Sequence, residues 1–305
     1  MTYLLSILLF LASLLGADPP ARGKASASLF APGEISTGAA DELFATFAPD
    51  GKTIYLVRRI PGGVFTLHAS SLKDGRWLAP RKLEISGRYK DQGPFVSPDG
   101  SKLFFYSNRP LTGGEPKEDD DIWVAERRGE GWSEPRNVGP PVNTAGNDWH
   151  PSVDGEGTLY FAATRPEGRG ATDLYRARWA GDGYLKPENL GPAINTPGFE
   201  ANPTISANGR LLLFTADERP DGLGKADLYV SFLEDGRWET PLNLGPPVNS
   251  SAFDFSPRLS PDAKSLLFSS NRSVDSEGRP RHQVYSIEAQ EVEALARAFA
   301  RGGRR

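Results

Sequence analysis

The sequence contains no cysteine. That excludes disulfides, thiolate metal sites and cysteine nucleophiles, and it suits an oxidising compartment, where a stray thiol is a liability. Histidine is nearly absent as well. His68, His150 and His282 are the whole supply, and a Ser-His-Asp triad would have to be built on His150 with an unmarked serine. No Gly-x-Ser-x-Gly elbow, His-Glu-x-x-His pair, phosphate loop or dinucleotide fingerprint occurs. There is no basic surplus either: the charged fraction is 24% and the net charge -4, which gives no support for nucleic acid as a partner. Long apolar runs are missing apart from Leu4 to Leu15. That run is short of the roughly 20 residues a spanning helix needs and fits the h-region of a secretory signal cleaved near Ala17. The expectation is a signal peptide over 1–17, then a periplasmic or secreted monomer with no integral membrane segment.

What is abundant is turn and aromatic residues: 33 Gly and 26 Pro spread along the chain, with 16 Phe, 9 Tyr and 6 Trp. This suits many short strands around a bulky core. Five turns stand in matching contexts: Ala48-Pro49-Asp50-Gly51, Ser97-Pro98-Asp99-Gly100, Asp154-Gly155-Glu156-Gly157, Ser206-Ala207-Asn208-Gly209 and Ser260-Pro261-Asp262-Ala263. Each precedes an apolar strand such as Leu103-Phe104-Phe105. Pro presets φ, Asp bonds the backbone beyond it and Gly takes the positive φ, so the pattern is a hairpin signal with a mechanism. A third strand opens at Asp121-Ile122-Trp123, Asp173-Leu174-Tyr175 and Asp227-Leu228-Tyr229, and a fourth closes as NVGPPVNT, NLGPAINT and NLGPPVNS.

Four short strands in 49 to 57 residues make one propeller blade, which must stack on its neighbours to bury both faces. The expected fold is all-β: a five-bladed β-propeller of four-stranded antiparallel blades over 27–288. The fifth unit supplies only three strands, so its fourth should come from the N-terminal stretch LFAPGEIST, Leu29 to Thr37. Val292, Leu295 and Phe299 have helical spacing, which predicts a short helix and basic tail over 289–305.

The combination of SPDG before an apolar strand, SNR after it, DLY opening the third strand and NLGPAINT closing the fourth resembles the TolB-like, WD-like propeller repeats of bacterial periplasmic proteins. The resemblance covers roughly residues 27 to 288. It implies the propeller fold, and a function among partner-binding proteins, peptidase propeller domains and carbohydrate-related proteins, because the fold hosts many functions.

Eight residues before each turn stands an acid: Glu42, Asp91, Asp148, Glu200 and Asp254. The position, between one blade's outermost strand and the next blade's innermost, places the five around the channel mouth. Bare carboxylates there would capture a cation such as Ca²⁺, or supply the acid and base of a glycosidase. A second periodicity offers another role. Arg59, Arg109, Arg165, Arg219 and Arg272 follow the acids by 17 to 19 residues, and five such pairs read as a structural ring of carboxylate–guanidinium bonds, which the Asp of each DLY would join. Non-repeating residues are the better candidates for ligand binding: Trp149 and His150 beside Asp148, and Asn202 at the matching place one blade on. The long loop from Pro110 to Asp121 carries Glu115, Glu118, Asp119, Asp120 and Asp121, suited either to cations or to solvent. The run DGLGKAD from Asp221 is read as a turn, since it recurs as EGRGATD. Two readings of function follow. One is a non-enzymatic exported propeller, without cofactor, presenting its loop-rich face to a protein, peptide or glycan of the cell envelope. The other is a carbohydrate-active hydrolase or lyase working with the mouth carboxylates.

Overall fold

The structure, a computed structural model, describes residues 26–295. The signal expected over 1–17 and the last residues of the C-terminal segment lie outside the described residues. Five antiparallel sheets follow one another along the chain. The innermost strands, called a, are Asp41–Phe47, Asp91–Val96, Asp148–Val153, Glu200–Ile205 and Asp254–Leu259. The b strands are Thr53–Arg59, Lys102–Ser107, Leu159–Ala163, Leu211–Ala216 and Ser265–Val274. The c strands are Thr66–Lys73, Asp121–Arg128, Asp173–Ala177, Asp227–Glu234 and Pro280–Glu288. Two-residue outer segments complete each sheet, and in blade 5 that segment is Ser28–Leu29, paired with Ser286 and Tyr285. The ring therefore closes by zipping the N-terminal strand onto the C-terminal sheet, as the missing fourth strand required.

The b strands show why a single repeat needs neighbours. Side chains alternate across a strand, so each b strand feeds two separate cores. Leu103 and Phe105 pack toward blade 1, whereas Phe104 packs toward blade 3. Leu159 and Phe161 face blade 2 while Tyr160 and Ala162 face blade 4. The same division runs through Leu212 against Leu213 and through Leu266 against Leu267. The core is thus a set of inter-blade wedges rather than a central mass. Each buried Leu or Phe contributes about 1.5–3 kcal/mol relative to exposure. After blade 5, Ala289–Glu291 forms a 3-10 turn and a helix begins at residue 293. Val292 and Leu295 are buried against the wedge between blades 4 and 5, so the C-terminal segment docks on the propeller.

Candidate functional site

All five repeated acids are fully buried at the channel mouth. Asp91 bonds Arg109 at 2.6 Å, Asp148 bonds Arg165 at 3.1 Å, Glu200 bonds Arg219 at 3.4 Å and Asp254 bonds Arg272 at 2.6 Å. Each arginine also donates to a backbone carbonyl of the segment entering its blade: Ile85, Val142, Ile194 and Val248. The guanidinium is backed by aromatic rings of strands b and c, with Arg165 5.4 Å from the centre of Phe161 and 5.0 Å from Tyr175. A hydroxyl completes the shell, donating to the acid from Thr37, Ser86, Thr144, Thr196 or Ser250. Sequence spacing finds this clasp correctly in four blades. In blade 1 the partner of Glu42 is Arg58 at 3.2 Å, not Arg59, which pairs with Asp41 at 2.7 Å. The reason is register: Glu42 sits directly opposite Arg58, and Asp41 opposite Arg59, whereas in blades 2, 3 and 4 the arginine lies beyond the end of strand b.

Burial pushes the Asp148 carboxyl up to about 6, even against the Thr144 donors and Arg165. Glu200 is also raised by burial. These are carboxylates committed to holding loops, with their lone pairs taken by several donors.

The aspartates of the DLY motifs do not join the clasp. Asp173 accepts from the Arg169 amide at 2.5 Å and from Asn189 at 2.9 Å, and so orders its own b-to-c loop. Asp227 does the same with the Leu223 amide and Asn243. The closing NLGPAINT motif has a function that the sequence reading missed. Asn195 accepts from the Leu174 amide at 2.8 Å and donates to the Leu174 carbonyl at 2.9 Å, standing in for a strand. Asn143 on Ile122 and Asn249 on Leu228 repeat it. The exact recurrence of this asparagine in three motifs was the signal available.

The long acidic loop carries its own cations. Lys117 bonds Asp121 at 2.5 Å and Asp119 at 3.1 Å. Asp120 takes Lys90 at 2.8 Å and the Trp149 indole N–H at 2.9 Å. Among the described residues no cluster of three or more His, Asp or Glu is arranged to hold a metal ion. In DGLGKAD and EGRGATD, Gly224 and Gly170 lie so close to the Ser250 and Thr196 carbonyls that any side chain would collide. The runs are turns that lock one blade onto the next.

The candidate ligand residues separate on inspection. Trp149 stays part-exposed at the rim, where its indole bridges blades 2 and 3. His150 and Asn202 are buried in the channel, 8% and 3% exposed. They occupy the same place in every a strand, two residues after the acid: Phe44, Gly93, His150, Asn202 and Ser256 all have φ between 51° and 58°. A bulge at this point shifts the register of each a–b pair, and bulges redirect side chains. Contacts between non-adjacent blades show where they point. The His150 ring stacks on Phe44 of blade 1 at 5.6 Å and meets Tyr106 edge-on at 4.9 Å. Two residues further along stands a second layer, Thr46, Phe95, Ser152, Thr204 and Arg258, in which Arg258 of blade 5 reaches to 5.5 Å from the Phe95 ring of blade 2. Burial lowers the His150 pKa to about 3, with Arg258 adding to the effect. His150 is therefore a neutral filler of the channel rather than a rim residue.

Around the mouth, the b-to-c loops carry a different kind of surface. Ile60 and Val64 in blade 1, Leu111 in blade 2 and Leu223 in blade 4, with Val274 at the end of strand b in blade 5, are large aliphatics left 48% to 69% exposed. All stand at the mouth-side ends of their blades.

No family model matches the sequence, and no curated protein matches it. Solved structures do. A TolB-like protein of Agrobacterium tumefaciens superposes with a TM-score of 0.50 at 16% identity, over 81% of this chain and 90% of that one. An α-L-arabinofuranosidase from Lactobacillus brevis gives 0.53 at 12% identity, over 83% and 92%. TolB from Acinetobacter baumannii gives 0.48 at 17% identity, over 83% of this chain and 56% of that one, so the chain spans little more than half its length. At such identities the likeness concerns architecture, and with the sheet order it makes this chain an all-β, five-bladed propeller.

Proposed function

We propose that the chain is an exported, TolB-like binding propeller that presents its channel-mouth face to a protein or peptide partner in the cell envelope, without catalysing a reaction. The observation that carries this is the group of exposed aliphatics on the b-to-c loops of blades 1, 2 and 4 and at the end of strand b in blade 5. Loops held on a rigid scaffold are where binding surfaces concentrate, and five of the eight exposed large hydrophobics among the described residues stand at this end of the blades, the kind of grouping that marks interaction sites. The carboxylates behind them are spent on the clasps, which supports scaffolding at that position. Apolar tips set among rim charges such as Lys90 suit a protein surface better than a glycan.

The experiment is capture from envelope extract with the full chain, comparing wild type with a Leu111→Ser, Leu223→Ser double variant. Neither side chain packs in a wedge, so thermal stability should be unchanged while the captured partner is lost. Equal capture by the two proteins would move the binding face elsewhere. The second reading, a carbohydrate-active hydrolase, has Asp148 in its favour, because a carboxyl titrating near 6 is suited to general-acid work. It predicts that Asp148→Asn abolishes turnover of arabinan-type oligosaccharides in an otherwise folded protein, and absence of turnover by the wild type would remove it.

A further inference from the structure

The channel holds a cation without an anion. Arg258 is 2% exposed. Its Nη1 donates to the Thr204 hydroxyl and, at 3.2 Å, to the Pro257 carbonyl, both neutral. Its Nε has no partner among the described residues. Burial alone acts on the group, bringing its pKa down to about 9, which leaves it charged at neutral pH. Taking an unpaired guanidinium out of water is strongly unfavourable, and buried charges are ordinarily paired. The mouth carboxylates do not serve it, being bonded to the arginines of their own clasps.

The groups around Arg258 are short of acceptors in the same way. The Thr215 hydroxyl accepts the Ser256 amide at 3.2 Å, so its proton goes to Asn202 Oδ1 at 3.1 Å. This fixes the asparagine with its Nδ2 hydrogens free, and that nitrogen has no partner; the Ser256 hydroxyl has none either. Asn202 and Ser256 are the upper-layer residues of the two blades whose lower-layer residues are Thr204 and Arg258. An amide N–H, a hydroxyl and a guanidinium N–H are thus assembled in one part of the channel, all able to donate and all buried.

We propose that the channel beside Asn202, Ser256 and Arg258 binds a small monovalent inorganic anion of the size of chloride. The anion would neutralise Arg258, accept the free hydrogens of Asn202 and Ser256, and tie blades 4 and 5 together from inside. A water molecule brings no charge and leaves the guanidinium uncompensated.

The test is thermal unfolding of the full chain in sodium chloride against sodium gluconate at equal ionic strength, gluconate being a much bulkier monovalent anion. Tm should rise by several degrees with chloride and then level off, as expected for a ligand of the folded state. Arg258→Met should abolish the difference between the salts. Asn202→Asp offers a second route if that variant does not fold: it supplies an internal carboxylate, so the protein should remain folded and lose its chloride response. A bromide-soaked crystal should show an anomalous peak between these residues. Equal Tm in the two salts, a response retained in the folded variants, or a bromide-free channel would each overturn the proposal.

Discussion

The rings of Phe44 and His150 stack 5.6 Å apart across the channel although they belong to blades 1 and 3. Burial holds the imidazole neutral down to about pH 3, whereas in the unfolded chain it titrates near 6.5. Between those values the unfolded state binds a proton that the folded state does not, so His150 makes stability fall on acidification, by up to about 1.4 kcal/mol per pH unit. Asp148, raised to about 6 in the fold, works in the opposite sense over the narrower window from about 3.9. Urea unfolding at pH 7.0, 5.5 and 4.5 should show that His150→Asn weakens the acid-side loss relative to wild type. Asparagine is chosen because it tolerates the left-handed backbone and already stands at that place in blade 4. Parallel slopes would mean the imidazole is protonated in the folded protein.

Arg109 is the guanidinium arm of the clasp in blade 2, set between Phe105 and Trp123 and bonded to fully buried Asp91. Replacing it by Met leaves a carboxylate stranded, which costs about 3–5 kcal/mol. The pair Arg109→Met, Asp91→Asn should recover part of that loss in a double-mutant cycle, because the stranded charge is gone. Additive effects would show that the two residues do not depend on each other.

Asn195→Ala should remove both hydrogen bonds to Leu174; the carbonyl keeps the Leu190 amide, but the buried Leu174 amide is left unpaired, at about 1–3 kcal/mol. Hydrogen exchange reads this directly. The Leu174 amide should lose protection in the variant while amides of the blade 1 strands keep theirs.

Gly170→Ala should destabilise the junction of blades 3 and 4, because the new methyl meets the Thr196 and Gly198 carbonyls. Gly183→Ala is the matched control, having an ordinary φ and open space around it. A similar Tm for the two variants would mean that the loop yields without cost.

The blades were legible in the sequence because one turn and one acid recur in every unit, and repetition outweighs the noise of any single motif. The clasp was legible for the same reason: an arginine follows each acid at nearly constant spacing. It failed only where two arginines stand side by side, Arg58 and Arg59, since choosing between them depends on strand register, which spacing does not determine. The channel filling left no comparable trace. Phe44, Gly93, His150, Asn202 and Ser256 share a backbone conformation but no chemistry, and only Gly93 and Asn202 hint at a positive φ. Position alone marks Trp149, His150 and Asn202, yet the burial of His150 and Asn202 depends on which residues lie across the ring. The exposed aliphatics of the b-to-c loops carry no periodicity and became visible only once the loops were placed on one face.

The five bulges hold the same backbone shape whether the residue they project is aromatic, basic, amide, hydroxylic or bare. The channel is therefore modular in backbone: the same socket presents different chemistry in each blade, and only Phe44 of the five also packs in a wedge. Gly93 is the empty socket of that set. The space it leaves is filled by Tyr106 and the backbone of His150, so anything larger than hydrogen at residue 93 would have to be matched by a smaller partner at residue 106. Changes at these inner positions should travel in compensating pairs across the bore, whereas changes in the wedges should be felt only by adjoining blades.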